Sequence, residues 1–355
     1  MAARESRKID HLNLAMIASH DGTKTCFGDI NLIHYSLPGS SYDECKLEVE
    51  LGNVKLRSPI IINAMTGGEE TTGSINRDLA IVARETGLCM AVGSQRAAIS
   101  NTNLAFTYKV VRDTNPDGVI VGNLGADCSI DEARAAVEMI GADMLQLHLN
   151  VPQEMVMPEG DRNFINILEN IAYIVENLKT PVIAKETGFG MCRETFEKLK
   201  STGIKIVDIS GRGGTNFIWI ENKRRNHCEY DTLVDWGQPT AISLLESIEY
   251  QDVMQIISSG GIMNCMDMAK SFHLGASAVG IAIPLLRKLK ENGVKGCIET
   301  VDLWHEQIKA IMTMVGVSRI SEFSSLPVVI TGKAKEWCET RGIDLSKLAK
   351  RTGKV

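Results

Sequence analysis

No uninterrupted apolar run in this 355-residue chain approaches the ~20 residues of a membrane span. The opening Met-Ala-Ala-Arg-Glu-Ser-Arg-Lys leads into no apolar h-region of a signal peptide. Basic residues are not in excess: 38 Lys and Arg stand against 44 Asp and Glu, a net charge of −6. A bulk nucleic-acid partner demands a basic face, so that class is excluded. Nine cysteines include no Cys-x-x-Cys pair, and their number is odd. This usage fits a reducing compartment better than a disulfide framework. No Pro- or Ser-rich linker divides the chain. Together these absences predict a soluble, cytoplasmic protein with no membrane partner, built as one domain with dressings.

What is present is a repeating α/β pattern, with 44% hydrophobic residues to fill its core. Eight apolar runs begin at Pro59, Leu88, Val119, Asp143, Pro181, Ile204, Val253 and Ala278. Helical periodicity is predicted between them over 74–86, 103–114, 129–140, 164–178, 193–201, 240–247 and 266–274, and after the last run to about 314. Ser129 supplies an N-cap and Asp131-Glu132 an acidic first turn. Continuous apolar strands alternating with amphipathic helices imply a parallel sheet buried on both faces. Eight repeats over ~250 residues match a closed (β/α)8 TIM barrel, here 58–317. An open doubly wound sheet is the alternative, because periodicity does not show closure. Residues 1–57 form an N-terminal extension in which Gly52-Asn53 turns one alternating segment into Val54-Lys55-Leu56. That is hairpin chemistry, expected under the barrel bottom. The C-terminal tail, 318–355, holds Leu326-Pro327-Val328-Val329-Ile330 and a helix predicted over 334–340.

The densest polar stretch is His148-Leu149-Asn150-Val151-Pro152-Gln153-Glu154, at the end of the fourth apolar run. Strand alternation points His148 and Asn150 the same way, and Pro152 ends the ladder. Gln153 and Glu154 are then expected in the loop beyond. Four polar groups within seven positions at a buried strand end point to chemistry rather than capping, since each needs a partner there. The other strand ends carry Ala64-Met65-Thr66-Gly67-Gly68, Gly93-Ser94-Gln95-Arg96, Asn123, Lys185-Glu186-Thr187-Gly188, Ser210-Gly211-Arg212-Gly213-Gly214-Thr215, Ser259-Gly260-Gly261-Ile262 and Gly280-Ile281-Ala282-Ile283. In barrels of this kind the strand carboxyl ends hold the function, and glycine turns after strands seven and eight commonly cradle phosphate. Lys185 at a buried strand end needs a charge or acceptor, and the electron-rich edge of a cofactor ring would supply one.

Met65-Thr66-Gly67-Gly68, Gly93-Ser94-Gln95-Arg96, His148-x-Asn-x-x-Gln153-Glu154, Lys185-Glu186-x-Gly188-x-Gly190 and Gly211-Arg212-Gly213-Gly214-Thr215 together resemble the type 2 isopentenyl-diphosphate isomerases. These are FMN-dependent barrels that interconvert isopentenyl and dimethylallyl diphosphate. With Arg7-Lys8 and Ser259-Gly260-Gly261-Ile262 the resemblance runs from about residue 5 to about residue 285, and the tail adds nothing to it. Asp10, where Glu is expected, and Thr187 depart from the family's pattern without touching the core assignment.

The resemblance implies that Ala64, Met65, Thr66, Ser94, Asn123, Lys185, Thr215, Gly260, Gly261, Ile262, Ala282 and Ile283 hold FMN, with Lys185 at the N1/O2 edge of the flavin. It places Arg7, Lys8, Ser94, Gln95, Arg96, His148, Asn150 and Gln153 around the substrate, the cationic groups on its diphosphate. Glu154 would bind Mg²⁺, and Gln153 with His148 would serve catalysis. Magnesium commonly takes one carboxylate plus substrate phosphates and waters, and Arg offers phosphate a bidentate fork. NADPH is implied as the reductant of FMN, and a homotetramer or homo-octamer as the assembly.

The alternative is an FMN-dependent oxidoreductase of the 2-hydroxyacid oxidase/dehydrogenase barrel type. That chemistry wants a His base where this chain reads Ser210-Gly211-Arg212-Gly213-Gly214. Cys228, the nearest candidate for a nucleotide dehydrogenase's nucleophile, has nothing beside it that marks activation. Residues 211–239, with Glu221-Asn222-Lys223-Arg224-Arg225 flanked by Phe217, Trp219 and Trp236, are expected to form a lid.

Overall fold

The apolar runs become the staves of a closed barrel. In the computed structural model, which describes residues 11, 13–17, 22–225 and 229–353, three short strands precede it: β1 (Ile30–Leu32), β2 (Val49–Leu51) and β3 (Val54–Leu56). The staves are β4 (Ile60–Ile62), β5 (Cys89–Ala91), β6 (Ile120–Gly125) and β7 (Met144–Leu149). They continue as β8 (Val182–Glu186), β9 (Ile206–Asp208), β10 (Gln255–Ser259) and β11 (Ala276–Ile281). The eight are parallel, and β4 pairs with β11, so the sheet closes and the open doubly wound alternative is set aside.

Strand periodicity sorts the side chains into layers. Ile61, Val121, Met144, Ile183, Ile206, Ile257 and Ala278 share one apolar cluster inside the barrel. Two residues further along the same strands stand Asn63, Asn123, Gln146, Lys185, Asp208, Ser259 and Gly280. The apolar layer at the bottom is thus followed by a polar layer nearer the carboxyl end. Alternate residues such as Ile60, Ile62, Leu145, Leu147, Ala184 and Val207 face outward into the main core beneath the helices.

The hairpin lies where its turn chemistry suggests. β2 and β3 pair antiparallel through Val49↔Leu56, and Leu51, fully buried, joins the apolar cluster at the barrel bottom. Gly52, at φ 61°, donates its amide to Gln255 Oε1 at 2.6 Å, and Gln255 Nε2 donates to Glu50 O at 2.6 Å. The bottom is therefore plugged and the open end is the carboxyl one.

Helix ends follow local chemistry. Ser129 Oγ accepts from Glu132 N and Glu132 Oε2 accepts from Ser129 N, a reciprocal cap that starts Ile130–Ile140. The long final element, Ile283–Val315, is two helices broken at Gly293, whose φ is 65°. Beyond it β12 (Val328–Ile330) pairs antiparallel with β1, joining the two appendages. The tail helix Gly332–Arg341 is anchored on the buried Glu246, which accepts from Trp337 Nε1 at 2.7 Å and Arg341 Nε at 3.0 Å. Among the described residues no helix is long and apolar enough to cross a membrane.

Candidate active site

The floor of the open end is a charged pair in a dry setting. Lys185 on β8 and Asp208 on β9 are register neighbours, 6% and 0% exposed. Lys185 Nζ donates to Asp208 Oδ2 at 2.8 Å. The charge partner expected of a cofactor ring is thus supplied first by the chain itself. Asp208 also accepts from Asn63 Nδ2 at 2.9 Å, Ser259 Oγ at 2.5 Å and the Ser210 amide at 3.1 Å. Ser210 holds an unusual φ of 30°, in a turn whose carbonyl accepts from the Gly188 and Gly190 amides.

Above this floor opens a cavity of about 460 Å³, within the ~300–1,000 Å³ of ligand clefts. Ala64, Met65, Thr66, Ser94, Asn123, Lys185, Thr215, Gly260, Gly261, Ile262, Ala282 and Ile283 all line it. So do Arg96, His148, Asn150, Gln153 and Glu154. Strand ends distant in sequence are brought together by barrel closure. Gly214 and Gly261 meet so closely that a Cβ on Gly214 would lie 2.6 Å from the Gly261 amide nitrogen. Only glycine permits this double turn after β9 and β10.

Gln95 is the correction. It is 0% exposed, donates from Nε2 to Ala136 O at 2.9 Å, and accepts the Asn123 amide on Oε1 at 3.0 Å. Its side chain faces the helix layer and braces β6, so it does not reach a substrate in the cavity. Arg7, Lys8 and Cys228 lie outside the described residues. Arg96 stands at the rim, giving Nη2 to Asp127 at 2.7 Å and Nη1 to Glu132 at 3.0 Å, which engages two of its five N–H donors.

His148 Nδ1 lies 3.0 Å from Asn123 Oδ1, an acceptor, so Nδ1 carries the proton of the neutral ring. Burial, with smaller contributions from Lys185 and Arg96 against an opposing pull from Asp127, lowers the His148 pKa to about 4. Near neutral pH the ring is uncharged and offers Nε2 as an acceptor.

Gln153 and Glu154 do not lie in a loop: they form part of a short helix, Val151–Val156, with Pro152 in its first turn, where its missing N–H costs nothing. Asn150 Nδ2 donates to Glu154 Oε1 at 2.8 Å, and the Asp161 amide donates to Oε2 at 2.8 Å. Each carboxylate oxygen keeps a lone pair. Gln153 Nε2 donates to Glu221 Oε1 at 2.9 Å.

Glu221 is the residue the sequence pattern missed. The stretch read as part of a charged lid is a packed helix, Phe217–Arg224, started by Asn216 Oδ1 accepting the Trp219 amide at 2.9 Å. Glu221 follows Phe217 by four and Ile218 by three, so it shares their helical face, and that spacing was the available signal. It is fully buried. His11 Nε2 stands 2.8 Å from its Oε1, and Arg224 Nη1 holds Oε2. Burial alone would raise the Glu221 pKa, but His11, Gln153 and Arg224 outweigh it and bring the group to about 2. Around this helix Ala15, Ile220, Ile283 and Leu286 form a separate apolar cluster that roofs the cavity.

The residues present fit a flavin. Thr66 is 4% exposed, and its Oγ1 is a buried cavity-wall atom with no hydrogen-bond partner, which a polar cofactor edge would satisfy. They fit Mg²⁺ only in one form. Among the described residues no group of three or more His, Cys, Asp or Glu could hold a metal, so a cation here would depend on Glu154 together with substrate phosphates and waters.

The FMN-dependent dehydrogenase family pattern matches residues 163–329. The isopentenyl-diphosphate delta-isomerase of Staphylococcus saprophyticus is 45% identical over 342 residues, covering 96% of this chain and 98% of that protein. That of Staphylococcus aureus is 42% identical over 344 residues, covering 97% and 98%. Among solved structures, a flavocytochrome b2 variant with pyruvate bound superposes with a TM-score of 0.68 at 17% identity, covering 96% of this chain and 84% of that one. A mandelate oxidase variant with 2-hydroxy-phenylacetamide gives 0.63 at 15%, covering 92% and 95%. At such identities the oxidoreductases share the fold alone. Full-length similarity to the isomerases, a closed eight-stranded barrel and the FMN-dependent pattern agree, and the chain belongs to the isopentenyl-diphosphate delta-isomerase family in its type 2, FMN-dependent form.

Proposed function

We propose that this cavity interconverts isopentenyl and dimethylallyl diphosphate by an allylic 1,3-proton shift. A proton is added at the terminal alkene carbon and another is lost from C2, with no net redox change. The intermediate tertiary cation needs an electron-rich neighbour shielded from water. Reduced FMN, when bound, supplies that neighbour together with a site for proton exchange. NADPH serves as its reductant without being consumed in each turnover.

The chain's own groups divide the remaining work. Lys185, buried beside Asp208, would offer its ammonium to the N1/O2 edge of a bound flavin. Thr66, Ser94, Asn123, Thr215, Gly260, Gly261, Ala282 and Ile283, which line the walls, would hold the cofactor. Because His148 is uncharged near neutral pH, the charge of the diphosphate falls to Arg96, to Mg²⁺ on Glu154, and to Arg7 and Lys8. Asn150 orients the Glu154 carboxylate. Gln153, an amide far from titrating, does not act as an ordinary acid or base; held by Glu221, it orients a proton over the alkene. We place the enzyme in the cytoplasm as a homo-oligomer, tetramer or octamer.

The observation that carries this function is the Gln153–Glu221 contact at 2.9 Å, above a cavity whose floor holds Lys185. A 2-hydroxyacid oxidase would want a His base after β9, where this chain reads Ser210-Gly211-Arg212-Gly213-Gly214. Anaerobic turnover of isopentenyl diphosphate is the test. Product is expected with NADPH and FMN present, and none with oxidised flavin. Oxidation of a 2-hydroxyacid with no isomerisation would overturn the assignment.

A further inference from the structure

Asp208 makes no contact that requires a ligand, yet the cavity floor is built around it. Its carboxylate takes four donors from four different segments: Lys185 Nζ and Asn63 Nδ2 on Oδ2, Ser259 Oγ and the Ser210 amide on Oδ1. Two carboxylate oxygens offer about four lone-pair sites, so every one is used. The backbone bends to complete the set. Ser210 adopts φ 30°, a conformation L-residues rarely hold, and its amide meets Asp208 in that turn. So much commitment to one fully buried acid exceeds what a lysine counter-ion alone requires. It fixes both the acid and the ammonium it holds. Lys185 spends one N–H on Asp208 and lines the cavity with the rest of its head group.

Resting on FMN as occupant of the cavity, we propose that Asp208 is a positioning residue that sets how easily the bound flavin is reduced. Charge added to the flavin on reduction meets the Lys185 ammonium first and the Asp208 carboxylate one hydrogen bond further away. Both act in a site where water screens poorly, and the nearer charge prevails only in part. Lys185 therefore favours the reduced flavin, and Asp208 moderates that preference while holding the ammonium in place. Neither bond making nor bond breaking involves Asp208, so its signature is a potential and not a proton.

Anaerobic redox titration of the holoenzyme tests this. Asp208→Asn is expected to favour reduced over oxidised flavin by about tenfold, ~30 mV upward for a two-electron couple. Lys185→Ala should move the potential in the opposite direction by a similar factor. If Asp208→Asn does not accumulate folded, Ser259→Ala leaves the acid in place with one donor fewer. Its uncompensated charge should then lower the potential by about threefold, ~15 mV. A potential unmoved, or lowered, in Asp208→Asn overturns the proposal, as does one unmoved in Ser259→Ala. Wild-type protein that binds no FMN overturns both this and the function it rests on, whereas flavin bound at an unaltered potential removes this inference alone.

Discussion

Two buried carboxylates bound the same cavity, and they are held in different ways. Asp208, at the floor, draws its side-chain partners from β8, β10 and the end of β4, all staves of one hydrogen-bonded cylinder. Glu221, at the roof, draws His11 from the N-terminal segment, Gln153 from the helix Val151–Val156 and Arg224 from its own helix. None of these elements belongs to the ladder. The floor cannot shift without deforming the barrel. The roof consists of short elements joined by side chains, which can separate while the barrel stays intact. Rigidity suits the groups that define the cofactor's electronics, and separable elements suit those that close over a substrate. Substitutions at the floor should therefore change the flavin, and substitutions at the roof should change turnover.

Gln153→Ala gives the largest expected effect. The loss in kcat should fall within ~10²–10⁴-fold, the range of a participant in proton transfer, while FMN stays bound and reducible by NADPH. Steady-state rates beside flavin absorbance will decide it. A variant that emptied the protein of flavin would erase the distinction between roof and floor.

Glu154→Gln tests the metal side of the roof. Activity at ordinary Mg²⁺ should drop by about 10²-fold, at or beyond the upper end seen for disturbed metal surroundings, with flavin retained. Raised Mg²⁺ should restore part of it, because the amide oxygen can still bind the cation weakly. Full activity at ordinary Mg²⁺ would remove Glu154 from the metal.

The smallest effect serves as a control outside both regions. His273 is 1% exposed in the helix layer, donating from Nδ1 to Ala269 O at 2.9 Å, and burial lowers its pKa to about 4. Its unfolded counterpart titrates near 6.5. The folded pKa is the lower one, so the unfolded chain binds the proton first. Stability is complete above about pH 6.5 and is lost as pH falls toward 4, by about 2 kcal/mol at about pH 5. Denaturant titrations should show a shallower loss between about pH 7 and 5 for His273→Gln, with kcat and flavin potential unchanged near neutral pH. An equally steep loss in the variant would place the acid sensitivity elsewhere, His148 being the first alternative.

On the floor Lys185 was legible in the sequence, but its partner Asp208 was not. An apolar strand that ends in a polar residue, such as Ile183-Ala184-Lys185, states which face the lysine takes once the period of two is fixed. The expected helices at 193–201 and 240–247 coincide with Arg193–Ser201 and Thr240–Ser247. Gln95 misled because its neighbours in the chain, Ser94 and Arg96, do line the cavity. At a strand-to-helix turn adjacent residues diverge by far more than strand alternation suggests. Within the lid expected over 211–239, the helix Phe217–Arg224 and its buried Glu221 were not legible, because which side of a helix a charged residue takes depends on the partners packed against it.

The sequence by itself determined the strands, the capped helices, the glycine turns and the family, since each depends on neighbours a few residues away or on a motif read in order. Only the tertiary structure decided the pairings: Lys185 with Asp208, Gln153 with Glu221, Gly52 with Gln255. Those partners lie 23 and 68 positions apart in the first two cases, and no local preference encodes them. Barrel closure brings them within hydrogen-bond distance, and once buried each polar group must find a partner or bear the full cost of lost hydration.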